Sequence, residues 1–138
     1  MVKNIDKGPV GVYIYMGKAV FLRKEMLMIK TMELYDMSHT LADGYLKEFE
    51  YPWQALAGIK ALILELGPKL GDEFMQAAPE VWVHKTAKVA PTAYLGSPCI
   101  IGANTEVRHC AFIRGSVLVG ENCVVGNSVE LKNVILFD

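Results

Sequence analysis

Arg114 and Lys132 are two cations eighteen residues apart, with Arg108 and His109 shortly before the first and Asn127 and Glu130 shortly before the second. Brought to one place, a guanidinium and an ammonium repel unless an anion sits between them or acidic side chains face them. Phosphate is the natural ligand for such a pair, since Arg engages it as a fork and Lys as a point charge. His109 lies eighteen residues before Asn127 and has two readings, a general base or a polar rung facing a neighbouring subunit; no carboxylate is placed to orient it. Glu130, Phe112 and Tyr94 follow one another at the same interval, an acid beside aromatics. A sugar-binding face and a subunit interface share that pattern. His39, His84 and His109 lack the mutual spacing of a metal site, so no metal is expected.

The interval of eighteen is the key to the elements that carry these residues. Every sixth residue from Val83 is large and apolar: Val83, Val89, Leu95, Ile101, Val107, Ile113, Val119, Val125, Leu131 and Phe137. Four places after each comes a smaller or branched residue, as at Ala87, Ala93, Cys99, Thr105, Ala111, Val117, Cys123, Val129 and Ile135. A helix repeats every 3.6 residues and a strand every 2, so a period of six requires a chain that turns a corner in each repeat. Three strands and three corners close a triangular coil of eighteen residues, and side chains eighteen apart stack about 4.8 Å from each other. Val83, Ile101, Val119 and Phe137 are expected in one internal column, with Arg114 directly next to Lys132 outside. Asn104 and Asn122 suit a side-chain amide ladder at a corner. The expectation is a mainly-β chain: a single-stranded parallel β-helix of three coils over 83–138, with an N-terminal helical cap.

Before the repeat, Pro52 to Leu66 reads as an amphipathic helix, with Leu56, Ile59, Ile63 and Leu66 at helical spacing and Gly67-Pro68 as its stop. A second helix is expected from Ser38, as N-cap, through Leu41, Tyr45 and Phe49, and a short third one over Asp72 to Ala78. Residues 10–22 alternate weakly, as a hairpin around Gly17 would. The chain thus divides into an N-terminal extension (1–31), a helical lead-in (32–80) that covers the exposed start of the solenoid, and the β-helix (81–138). At the other end, Val134 to Phe137 is expected to leave a coil of large aliphatics bare, as in a fragment of a longer protein or a subunit that stacks end to end.

Composition narrows the classes. Fourteen basic against fifteen acidic residues give a net charge of −1, which calls for no nucleic-acid partner, and no apolar run is long enough for a membrane span. With no signal-peptide pattern, a cytoplasmic location is expected. Cys99, Cys110 and Cys123 are an odd set without CxxC spacing, two of them explained by the repeat as small wall residues.

The runs Ile101-Gly102, Glu106 through Gly115, and Val125-Gly126-Asn127-Ser128-Val129-Glu130-Leu131-Lys132, with the connector Tyr51-Pro52-Trp53, carry a resemblance. The chain is similar to hexapeptide-repeat acyltransferases: to the acetyltransferase half of bifunctional N-acetylglucosamine-1-phosphate uridyltransferase/glucosamine-1-phosphate acetyltransferase, and to short clostridial UDP-N-acetylglucosamine pyrophosphorylase-related proteins. The resemblance implies a left-handed β-helix, commonly homotrimeric, and contacts from Arg114 and Lys132 to a sugar phosphate. It implies acetyl-CoA as acyl donor in a longer parent and no cofactor in this chain. The family's basic histidine belongs to a His-x-x-Tyr-Val-Gly-Asp run that this sequence does not contain, and residues 1–80 lack a glycine-rich nucleotide-binding signature. Neither acetyl transfer nor nucleotidyl transfer by this chain alone is expected; the alternative is a non-catalytic solenoid for oligomerisation or partner binding.

Overall fold

Thirteen strands, three short α-helices and several 3-10 turns make up the computed structural model, which describes residues 10–15, 18–23 and 28–138. The two N-terminal strands, β1 (Val10–Tyr15) and β2 (Lys18–Arg23), pair antiparallel with Val12 opposite Phe21. They form the expected hairpin, whose turn at Gly17 lies outside the described residues.

From Val81 the chain winds as a left-handed parallel β-helix. One wall is built from β4 (Val81–His84), β7 (Cys99–Ile101), β10 (Val117–Val119) and β13 (Val134–Leu136). The second holds β5 (Lys88–Val89), β8 (Glu106–Val107) and β11 (Val124–Val125). The third holds β6 (Tyr94–Leu95), β9 (Phe112–Ile113) and β12 (Glu130–Leu131). Inside the prism Val83, Ile101, Val107, Ile113, Val119 and Val125 form one buried cluster with Cys99, Ala111 and Val117. Corners turn through left-handed residues, among them Asn104 (φ 56°) and Asn122 (φ 53°), and the amide ladder is present, Asn104 Nδ2 donating to Asn122 Oδ1 at 3.3 Å. Gly102 permits the close stacking of coils, since a β-carbon there would lie 2.3 Å from the Gly120 carbonyl oxygen.

The last coil departs from the period. Val81, Cys99 and Val117 pair at intervals of eighteen, but Val117 pairs with Val134, only seventeen further on. The turn after β9 runs Arg114-Gly115-Ser116, whereas the turn after β12 is Lys132-Asn133, in which Asn133 (φ 51°) takes the left-handed place of Ser116 (φ 54°) and no residue matches Gly115. One residue changes the phase of every side chain that follows. Leu136, not Phe137, therefore sits opposite Val119, and Ile135 moves from the expected wall-filling place to one opposite Leu118. Phe137 leaves the internal column and stacks on Tyr35, with ring centroids 4.9 Å apart. Val129, another expected wall-filler, is exposed.

A second core explains where those residues go. On the first wall the outward column Trp82, Ile100, Leu118 and Ile135 is apolar, and it packs against Met37, Leu46, Ala55, Ile59, Leu62 and Ile63. The helical cap thus lies flat along one wall across all its coils. It consists of α1 (Thr31–Leu34), α2 (Asp43–Leu46) and α3 (Ile59–Leu66), the last preceded by a 3-10 stretch from Pro52 to Gly58. The last coil is consequently not bare: Val134 to Phe137 are all half-buried, Ile135 and Phe137 against the helical layer.

Three local expectations fail for identifiable reasons. The Ser38–Phe49 helix is broken into a 3-10 turn (Met37–His39) and α2, and the cap is Asp36, whose carboxylate accepts from the Ser38 N–H at 3.0 Å. The Pro52–Leu66 helix is a 3-10 stretch up to Gly58 and α-helical only from Ile59; it ends at Leu66 as expected, with Gly67 as its C-cap before a 3-10 turn to Lys69, and that glycine makes room for Trp82, whose ring would lie 2.4 Å from a β-carbon there. Residues Phe74–Ala78 form a strand, β3, antiparallel to β4. The edge of the first coil offers unpaired backbone groups, and the Pro79-Glu80 turn (Glu80 φ 59°) folds β3 onto them.

Candidate functional site

The two walls free of helices carry the polar residues of interest. On the third wall, Tyr94, Phe112 and Glu130 occupy successive rungs in register and point outward. Tyr94 is 60% and Phe112 44% exposed, with their rings 5.4 Å apart. Two residues on, past the inward Leu95, Ile113 and Leu131, Gly96, Arg114 and Lys132 form the next outer column, held at rung spacing by Gly96 N–H donating to Ile113 O (2.7 Å) and Arg114 N–H to Leu131 O (2.9 Å). The period therefore puts Arg114 and Lys132 side by side as expected, the one-residue deletion falling just after Lys132.

Repulsion between the two cations is relieved in part by an acid. Arg114 Nη1 donates to Glu130 Oε1 at 2.8 Å, a diagonal ion pair between neighbouring coils with both side chains about half exposed. Such a pair contributes roughly 0–1 kcal/mol, because solvent screens it and two long side chains lose freedom. Lys132 has no acidic partner among the described residues. The wall thus presents one free ammonium, one guanidinium with N–H groups to spare, one carboxylate and an aromatic platform.

Arg108, His109 and Asn127 lie elsewhere, along an open groove of about 430 Å³ on the second wall and its corner. Arg108 is held by Glu106, with Nε 3.2 Å from Oε1 and Nη2 3.4 Å from Oε2. The His109 ring is fixed through Nδ1, 3.1 Å from Thr92 Oγ1, a hydroxyl that also accepts from the Cys110 N–H at 3.2 Å. Asn127 stands one coil further along, anchored by Ser128 N–H donating to His109 O at 3.0 Å. A hydroxyl rather than a carboxylate orients His109.

The six sequence candidates accordingly separate into two groups: Arg114, Glu130 and Lys132 on the third wall, and Arg108, His109 and Asn127 on the groove. Sequence reasoning missed Lys88 and Glu106, which also line the groove and pair rung to rung. Their signal was present, opposite charges eighteen residues apart. The thiols divide as the repeat suggests. Cys99 is fully buried and its pKa is pushed from 9.0 up to about 12 by loss of solvent; Cys123 is half-buried and raised for the same reason, aided by the Asp138 carboxylate; Cys110 is exposed. Among the described residues no helix is long and apolar enough to cross a membrane, and no cluster of three or more His, Cys, Asp or Glu is arranged to hold a metal ion. No protein-family model, no curated protein and no solved structure matches the chain.

Proposed function

We propose that the third wall recognises a sugar phosphate, and that the chain is the N-terminal portion of an acyltransferase-like hexapeptide-repeat protein acting on amino sugars or nucleotide sugars. The observation that carries this reading is the placement of Arg114 and Lys132 on successive rungs, beside the exposed Tyr94–Phe112 pair. A phosphate bridging the two cations would relieve their repulsion, and a pyranose ring would lie against the aromatic faces. Recognition is assigned to these residues; the acyl-transfer step, with acetyl-CoA as donor, is left to a longer parent. Isothermal titration with glucosamine-1-phosphate tests the reading. Binding is expected, and Lys132→Ala should weaken it about tenfold, the worth of one charge-assisted hydrogen bond. Absence of heat, or an unchanged affinity in the variant, rejects it.

The exposure of the two aromatics also favours a second reading, a non-catalytic solenoid that oligomerises through this wall. Sedimentation equilibrium separates the two. A trimer that dissociates on Phe112→Ser, with no sugar-phosphate binding by the wild type, would establish the second at the expense of the first.

A further inference from the structure

The groove on the second wall is chemically distinct from the aromatic wall. Its spare donors are concentrated in two cationic side chains, Lys88 and Arg108. Glu106, its one carboxylate, has both oxygens engaged by Arg108. Lys88, on the rung next to Glu106, has no ion-pair partner among the described residues, although register places the two directly opposite. Arg108 keeps Nη1 unused by Glu106, His109 keeps Nε2 with its other nitrogen held by Thr92, and the Asn127 amide lies on the next rung. The column of Arg108 is flanked by Ala90 before it and Gly126 after it, so no bulky side chain closes the groove above or below the guanidinium.

Donors in excess, with the local acid already satisfied, select an acceptor that carries negative charge. We infer that the groove bounded by Lys88, Arg108, His109 and Asn127 is an oxyanion-binding site, suited to the carboxylate or phosphoryl group of a small ligand and independent of the sugar-phosphate reading of the third wall. Lys88 supplies the uncompensated charge and Arg108 a guanidinium edge held in place by Glu106. His109 and Asn127 supply directional hydrogen bonds from the corner. Glu106 also limits affinity, because its charge opposes any anion that approaches Arg108.

Residue-resolved NMR titration of the whole chain tests the site, with sodium phosphate and sodium acetate as probes and sodium chloride of matched ionic strength as reference. Saturable amide shifts are expected at residues 88, 108, 109 and 127. Lys88→Met should weaken binding by about fivefold or more, as expected for loss of a charge-assisted contact. Glu106→Gln should tighten binding by roughly two- to fivefold, within the range of one exposed charge interaction. A gain of affinity cannot come from misfolding. Saturation by phosphate alone supports the site and identifies a phosphoryl ligand, whereas saturation by both anions supports it with a carboxylate also admitted. Shifts that merely follow chloride, shifts confined to Arg114 and Lys132, or an affinity indifferent to Lys88→Met would each overturn the inference. Because the two walls report through different amides, either site can fail while the other stands.

Discussion

Replacing Leu118 by alanine probes the least conventional feature of the fold. An outward position on a β-helix wall ordinarily meets solvent, yet Leu118 is 0% exposed because the helical layer lies on it. Its neighbours leave little room for collapse: Ile100 stands one rung before, Ile135 one rung after, and α3 across. A rigid surround places the cost of the missing isobutyl group near the middle of the range for buried Leu→Ala, about 3 kcal/mol. Val124 is the natural control, an outward residue on the uncovered second wall and 55% exposed. Val124→Ala should cost no more than about 0.5 kcal/mol. Urea unfolding at one fixed protomer concentration measures both, with unchanged m-values showing that the same surface is exposed in each variant. In a chain of this size the Leu118 variant should also lose roughly 6–12 °C in Tm. If the two substitutions cost the same within about 0.5 kcal/mol, the helices do not rest on that wall.

Two further outcomes follow from the interior. Thr105 is fully buried, its hydroxyl donating to Gly120 O at 2.7 Å and accepting from Cys123 N–H at 3.0 Å; Thr105→Val, which strands both backbone groups, should cost about 1–3 kcal/mol by chemical denaturation. Cys99, with its thiol raised from 9.0 to about 12, stays protonated at pH 8, so iodoacetamide should modify the exposed Cys110 and leave Cys99 untouched by mass spectrometry. The same shift sets a sign for stability: the benefit of burying a neutral thiol is complete below about pH 9 and declines as the pH climbs toward 12, because the unfolded chain ionises first. Rapid alkylation of Cys99 in the folded protein would refute both statements.

Much of the β-helix was legible because its signal is repetitive: ten apolar residues at a fixed interval report one internal geometry, and no local accident imitates that. Arg114 and Lys132 were legible for the same reason, their proximity being arithmetic. What escaped was whatever depends on a single residue or on a distant partner. The loss of one turn residue at Lys132-Asn133 is invisible to a periodic count, because Ile135, Leu136 and Phe137 are all apolar and satisfy the pattern in either phase. Strand β3 escaped since Phe74–Ala78 has no strong local preference and is extended by the edge it pairs with. The outward apolar column Trp82, Ile100, Leu118 could have been found: apolar residues eighteen apart on the solvent side of a coil announce a covering layer. The Arg114–Glu130 pairing needed side-chain geometry that no spacing supplies.

A bare solenoid unravels like a zipper, since each coil touches only the coils beside it and its stability is a sum over nearest neighbours. The helical layer changes that arithmetic. Resting on Trp82 in the first coil, Leu118 in the third strand of the wall and Ile135 in the last, and tied to the final turn by Asn133 Nδ2 donating to Leu56 O at 3.0 Å, it acts as a splint along the stack. Peeling the terminal coil must lift the splint, and lifting the splint uncovers every rung beneath it. Fraying at one end thereby becomes an event of the whole body, and the two uncovered walls are held as flat, dimensionally constant surfaces on which groups from different coils keep fixed separations.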